Sequence, residues 1–414
     1  MALGGCAVAL PLMATVYSAI LAMGISFGLP ASSSLVILIE IILLAVTGVI
    51  IAKNGLVASD GLALTFIFIS IVLALLVSIQ ASRLMVEVIR SGLIIGLFGL
   101  LGQRVQMEAV DRIFLVLAAI VGAVLVLEIF FPQVYVAIFH PAAFYELTRG
   151  IETNEFNNTG LFNTATSYEG RFSFGFFEVP RTSSIFLEQI SNANFAMILA
   201  MYTAARWETL GGRARKLFIA VISLIIISTN SRFGSFFVLT MLVGFFVYPK
   251  LPRWMTIFAI AAIWSGIFVV NLFYDWNHTD DLIGRISFIG HSFRETDWQF
   301  YLGGHARFAL AERDSGYTYV IGTSTVFGFL GFIAYWLCYP RADDAASRRL
   351  LWGLVIYMCG QLAISSTSLL SIKTAALLWF LIGAMRSQSP PSKCGPGLAQ
   401  ERGKRGTFEG LRNA

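Results

Sequence analysis

Apolar residues in this chain run in long blocks parted by short polar breaks. The blocks fall at about 8–29, 33–52, 62–80, 84–102, 112–131, 185–205, 216–230, 233–248, 254–273, 319–339, 350–366 and 368–385. A helix needs roughly 20 apolar residues to cross a hydrocarbon layer of about 30 Å. The pattern therefore predicts an all-α polytopic integral membrane protein with about twelve transmembrane helices. The seventh and eighth blocks are short and separated only by Asn230-Ser231-Arg232, so a single bent helix there would make eleven. Two long polar segments, 132–184 and 274–318, interrupt the blocks. The expected organisation is one transmembrane domain over 1–385 bearing these two loops, then a basic tail over 386–414 whose Pro, Gly, Lys and Arg content reads as disordered.

Composition narrows the class. Of 414 residues 57% are hydrophobic and 13% charged, against about 25% charged in a typical soluble domain. A disordered chain, a collagen-like chain and an ordinary soluble enzyme are excluded. The net charge of +5 does not call for nucleic acid, because the basic residues sort by loop. With the N-terminus inside, Lys53, Arg104, Arg206, Lys250, Arg253, Arg341 and the tail arginines and lysines all lie on the cytoplasmic side. The short outer loops hold little beyond Arg83 and Arg232. Both termini are thus expected to be cytoplasmic and both long loops extracytoplasmic. The first block lacks a basic leader segment and is read as a span, not a cleaved signal. Cys6, Cys338, Cys359 and Cys394 have no paired spacing, so neither a disulfide framework nor a metal site is expected.

Ionisable residues inside apolar blocks need a reason, since lipid burial costs several kcal/mol, of order 3 at the centre of a span. Glu87 and Arg90 share a helix face at i, i+3 and read as a self-neutralising pair. Glu40 has no partner nearby in sequence, and reads either as part of an ion path or as a carboxyl bonded to another helix. Lys373 sits about 9 Å below the outer mouth of the last block, at 1.5 Å per residue. It is a candidate for contact with substrate or for snorkelling. At the break before the eighth block, Ser231 suits an N-cap. Arg232 then stands at the positive end of a helix dipole, where a cation is disfavoured unless an anion is near. The alternative is an arginine that marks the membrane interface.

The first long loop, from Tyr168 to Ser184, mixes aromatics with Arg171, Arg181, Glu169 and Glu178. Aromatic faces stack on sugars and arginines grip phosphates, although an interfacial aromatic belt would look the same. In the second loop Arg294, Asp297 and Trp298 fall at i, i+3 and i+4, so one helix would gather them, and Gly303-Gly304 would end it. No P-loop or Rossmann motif, zincin spacing or nucleophile elbow occurs.

These features, in their order, resemble the bacterial Wzy-type polysaccharide polymerases of the lipid-linked pathway and the related O-antigen ligases. The resemblance rests on Thr229-Asn230-Ser231-Arg232. It rests also on the late loop from Gly284-Arg285 through Arg294, Asp297-Trp298 and Gly303-Gly304 to Asp314-Ser315-Gly316-Tyr317, followed by Gly322, Gly328 and Gly331. Thr182 to Glu188 looks like the xanthan-type exopolysaccharide branch. The motifs cover roughly 165–335. The ligase branch carries a histidine close to the start of the following span, whereas here the nearest, His305, lies earlier, which favours polymerase over ligase.

The resemblance implies a GT-C-like architecture in the bacterial inner membrane. It implies a metal-independent glycosyltransferase without cofactor, using undecaprenyl-diphosphate-linked oligosaccharide and membrane lipid, in company with a chain-length regulator or export complex. Arg232, Arg294, Arg285, Arg171, Arg181 and Lys373 would bind diphosphate or polar sugar groups, and Trp298 and Tyr317 would stack on sugars. Asp314, then Asp297, then His305 are the candidates for the general base that takes the acceptor proton. A flippase or transporter for the same lipid is the competing class, favoured by Glu40 and Arg90 inside the spans but not by any inverted repeat.

Overall fold

The computed structural model describes residues 2–153, 159–165, 173–176, 180–274, 282–311, 315–364 and 368–388. These residues contain no strand. The chain begins with α1 (Ala2–Ser26), α2 (Ser33–Lys53), α3 (Gly61–Ala81), α4 (Val86–Gly102) and α5 (Met107–Phe130). The short α6 (Pro132–Phe139) and α7 (Pro141–Arg149) follow, then α8 (Gln189–Arg206), α9 (Gly212–Thr229), α10 (Arg232–Val247) and α11 (Met255–Phe273). The second long loop forms α12 (Leu282–Arg294), α13 (Trp298–Tyr301) and α14 (Ala306–Ala311), and the chain continues through α15 (Gly316–Cys338), α16 (Ala345–Ile364) and α17 (Ile372–Gln388). Local chemistry sets several of these limits. Ser32 and Ser231 accept hydrogen bonds from Leu35 N and Gly234 N as N-caps. Pro132 and Pro141 occupy first turns, and Gly150, at φ +63°, ends α7.

The protein is an all-α, polytopic membrane protein, but the expected span count is corrected. Seven helices among the described residues are long and apolar enough to cross a membrane, not the eleven or twelve of a GT-C-like architecture. They are Ala7–Ser26, Ser33–Lys53, Ala58–Ala81, Met107–Phe130, Arg232–Lys250, Met255–Phe273 and Gly316–Cys338. The other five apolar runs do form helices, yet α4 and α17 have only 17 residues each. α8 carries Gln189, Asn192 and Asn194, α9 opens on Arg213, Arg215 and Lys216, and α16 contains Arg348, Arg349 and Gln361. α17 is buried on every side from Lys373 to Met385, and α8 is nearly so. A helix apolar all round is covered either by lipid or by protein, and hydropathy alone cannot separate the two. By contrast, α10 and α11 present Phe236, Leu242, Phe246, Phe258 and Phe268 outward.

At one end of the bundle the short loops meet. Arg104 pairs with Asp60 at 2.6 Å, Arg349 with Glu208 at 3.1 Å and Arg206 with Asp111 at 2.9 Å, while Gln103 Nε2 donates to the Tyr339 hydroxyl at 2.7 Å. The long first loop packs at the opposite end, where Ser26 Oγ donates to the Ile138 carbonyl at 3.0 Å. Glu87 pairs with Arg83 at 3.0 Å rather than with Arg90, and Arg90 reaches Glu40 of α2. The same-helix pairing read from spacing gives way because a neighbouring helix offers a more buried carboxylate.

α4 and α17 touch backbone to backbone. A Cβ added at Gly383 would stand 1.9 Å from the Gly99 carbonyl oxygen, and one at Gly102 would stand 2.1 Å from that of Phe380. Small residues permit such approach between helices, and neither backbone can yield. Gly383→Ala is expected to destabilise the fold by about 3 kcal/mol, read as a lowered unfolding temperature in detergent. An unchanged transition would mean that the two helices separate freely.

Candidate functional site

The site is built on a turn that the chain strains to make. Ser184 and Leu187 have φ of +49° and +62°, left-handed values that side chains disfavour. Glu128, near the end of α5 and 3% exposed, holds the turn in place. Its carboxylate accepts from Ser183 N at 2.9 Å, Ser184 N at 2.6 Å and Ser183 Oγ at 3.0 Å. The Tyr135 hydroxyl donates to the Ser184 carbonyl at 2.7 Å, and Ser184 Oγ donates to the Val121 carbonyl at 2.9 Å. The result is a fixed position for the carbonyl of Phe186.

That carbonyl accepts a hydrogen bond from Lys373 Nζ at 3.0 Å, and the Tyr145 hydroxyl lies 3.5 Å from the same Nζ. Lys373 is the second residue of α17 and 3% exposed, and among the described residues no carboxylate pairs with it. Arg149, at the end of α7, lies with its guanidinium 4.8 Å from the centre of the Tyr145 ring, while Lys373 Nζ is 5.7 Å from that centre. Arg149 is exposed, so the pair of cations has one buried and one open member. Glu188 and Glu40 act on both through space. Glu40 itself is engaged, accepting from the Tyr17 hydroxyl at 2.8 Å and pairing with Arg90 at 3.0 Å. Burial pushes the Tyr145 hydroxyl well above its usual range, so it stays a neutral donor at any working pH. The arrangement has the chemistry of an anion site: a guanidinium, an ammonium and a hydroxyl around one aromatic ring.

The other expected site residues are distributed over the same end of the bundle. Arg181 donates through Nε to the Thr229 carbonyl, Thr182 N donates to the Ser228 carbonyl at 3.2 Å, and Asn230 Oδ1 accepts from Phe174 N at 2.9 Å. The break at 228–230 thus serves as an edge on which the first loop docks. Arg232 is exposed at the start of α10. Arg285 Nη1 donates to the Ile364 carbonyl at 2.7 Å and Arg294 Nη2 to that of Asn271 at 2.6 Å. Arg294, Asp297 and Trp298 do not share a helix. α12 stops at Arg294, and Asp297 caps α13 by accepting from Gln299 N and Phe300 N. Asp297 Oδ1 instead lies 3.3 Å from His305 Nε2, which joins two candidates for the base. Trp298 is 69% exposed, whereas Tyr317 is fully buried, its ring 4.6 Å from that of Trp264 and its hydroxyl bonded to the Cys359 carbonyl. Gly303, at φ +92°, lies against Val77, Gln80 and Thr325, so its missing side chain admits protein. Arg171 and Asp314 lie outside the described residues. Among the described residues no group of His, Cys, Asp or Glu is placed to hold a metal ion.

Sequence reading missed Arg149, Tyr145 and Glu128. The punctuation of α7, Pro141 at its start and Gly150 after its end, is legible, but nothing in it says that Arg149 will stand beside a lysine 224 positions later. No protein-family model, curated protein or solved structure matches the chain.

Proposed function

We propose that this protein is a membrane-embedded glycosyltransferase. On this reading it polymerises undecaprenyl-diphosphate-linked oligosaccharide repeats at the outer leaflet of a bacterial cytoplasmic membrane. The observation that carries the reading is Lys373, a buried ammonium with a carbonyl and a hydroxyl for partners, next to the open guanidinium of Arg149. A cation is costly there, and a methionine would pack without that penalty. Its presence fits a ligand that brings negative charge, and a diphosphate does so both when bound and when leaving. In the reaction the bond between the growing chain's anomeric carbon and the diphosphate oxygen breaks. A bond to the acceptor hydroxyl oxygen forms, and undecaprenyl diphosphate leaves with the electron pair. The hydroxyl proton goes to a base of the late loop. The 3.3 Å contact of His305 with Asp297 favours His305 as that base, with Asp297 orienting the ring, while Asp314 keeps its claim from the sequence pattern.

The test is reconstitution of the full chain in vesicles with purified lipid-linked repeats. Lengthened lipid-linked glycan with release of undecaprenyl diphosphate is the expected result. Transfer only onto a different acceptor lipid would indicate a ligase, and movement of unaltered repeats across the bilayer a flippase.

A further inference from the structure

A groove of about 230 Å³ runs between α3, α4 and α15, with Leu370, just ahead of α17, also in its lining. Val88, Ser91, Gly92 and Ile95 of α4 form its floor, and α3 and α15 its walls. The Phe66 and Tyr335 rings, 4.2 Å apart, join the walls lower down. Its lining contains no charged residue. The hydroxyls of Ser91, Thr323 and Ser324 each donate to a carbonyl one turn back, so their protons are already engaged within the helix. Two features of α15 open the space. Thr325 leaves the helix at φ +68° and ψ +166°, with its Oγ1 accepting from Gly328 N to restart it, and Gly331 presents bare backbone with nothing within 4 Å of where a Cβ would be.

Both walls are membrane-crossing helices, with Phe68, Leu76, Phe327 and Leu330 exposed beside the groove. The medium onto which it opens is therefore lipid. We propose that it is a binding site for one acyl chain of a membrane phospholipid. An uncharged lining selects a chain and ignores the headgroup, so the abundant lipid of the bilayer occupies it rather than a rarer lipid with a special headgroup. The chain lies along Ser324 and Gly328, which flank the kink at Thr325, and the Thr325 methyl would stand 3.5 Å from a Cβ built on Gly303 of the late loop. The inference does not depend on the transferase reading.

The full-length protein, reconstituted in phosphatidylcholine vesicles containing a phosphatidylcholine with a diazirine on one acyl chain, is photolysed and its labelled residues are mapped by peptide mass spectrometry. Labelling at Ser91–Ile95 and Tyr319–Phe332 should exceed that at the lipid-facing Phe236 and Phe258. Gly331→Leu, which fills open space, should abolish the excess, whereas Gly331→Ala should keep it. Unchanged labelling of Phe236 and Phe258 shows that the variants are folded. Groove labelling no higher than at these two residues, or an excess that survives Gly331→Leu, overturns the proposal. So does displacement of the acyl label by a small fraction of unlabelled polyprenyl phosphate, which would make the groove a prenyl site.

Discussion

Lys373→Met should yield protein that folds at least as well as the parent and lengthens lipid-linked glycan about 10²–10³-fold more slowly. The two halves of this result have different causes. The ammonium is 3% exposed, bonded to the Phe186 carbonyl at 3.0 Å and unpaired with any carboxylate among the described residues. Replacing it with an apolar side chain of similar length removes a desolvation cost, against which the Phe186 carbonyl and the Tyr145 hydroxyl each lose one hydrogen bond. Stability is therefore expected to hold or rise, as read by thermal unfolding in detergent. Turnover falls because the site loses a positive charge in a place that solvent does not screen, where charge developing on a leaving diphosphate would be felt most strongly. Arg149→Gln should act in the same direction but less, since Arg149 stands at the exposed end of α7 whereas Lys373 is enclosed. Full turnover by Lys373→Met in a folded protein would remove Lys373 from the reaction.

Glu128→Leu should destabilise the protein by about 4 kcal/mol and abolish transfer together with it. The carboxylate receives the backbone N–H groups of both Ser183 and Ser184, and all these atoms are buried. Leucine leaves two buried donors without acceptors and releases a turn whose Ser184 and Leu187 already sit at positive φ. Glu128→Gln should fall between the two, because one end of the amide still accepts while the other sets a donor against a donor. The loss of transfer follows from geometry, since the turn carries the Phe186 carbonyl that positions Lys373. Unfolding of Glu128→Leu at the parental temperature would show that the turn is held by other contacts.

The helical character of the chain and its residence in a membrane were legible from block hydropathy. So were individual signals that act within a few residues, among them the Ser231 cap, the proline starts of α6 and α7, and the glycine after α7. The number of spans was not legible. α8, α16 and α17 read as apolar blocks in the sequence, yet α8 and α16 carry polar residues such as Asn192, Asn194, Arg349 and Gln361, α17 is only 17 residues long, and all three are covered by other helices. Water avoidance writes the same pattern in both cases, and only the neighbours reveal which medium is outside.

Side-chain pairing divides along the same line. Arg83 with Glu87 is a local pair, four residues apart across the start of α4. Glu40 with Arg90, Asp297 with His305, and Lys373 with Tyr145 join residues separated by 50, 8 and 228 positions. Local sequence determines the hydrophobic period, the caps and the turn residues, because these depend on covalent geometry and on solvent. Which helices lie inside, and which cations face one another at the mouth of the bundle, follow from packing between distant segments. Those choices are made by close approach at positions such as Gly102 and Gly383, where a single methyl group would keep two backbones apart.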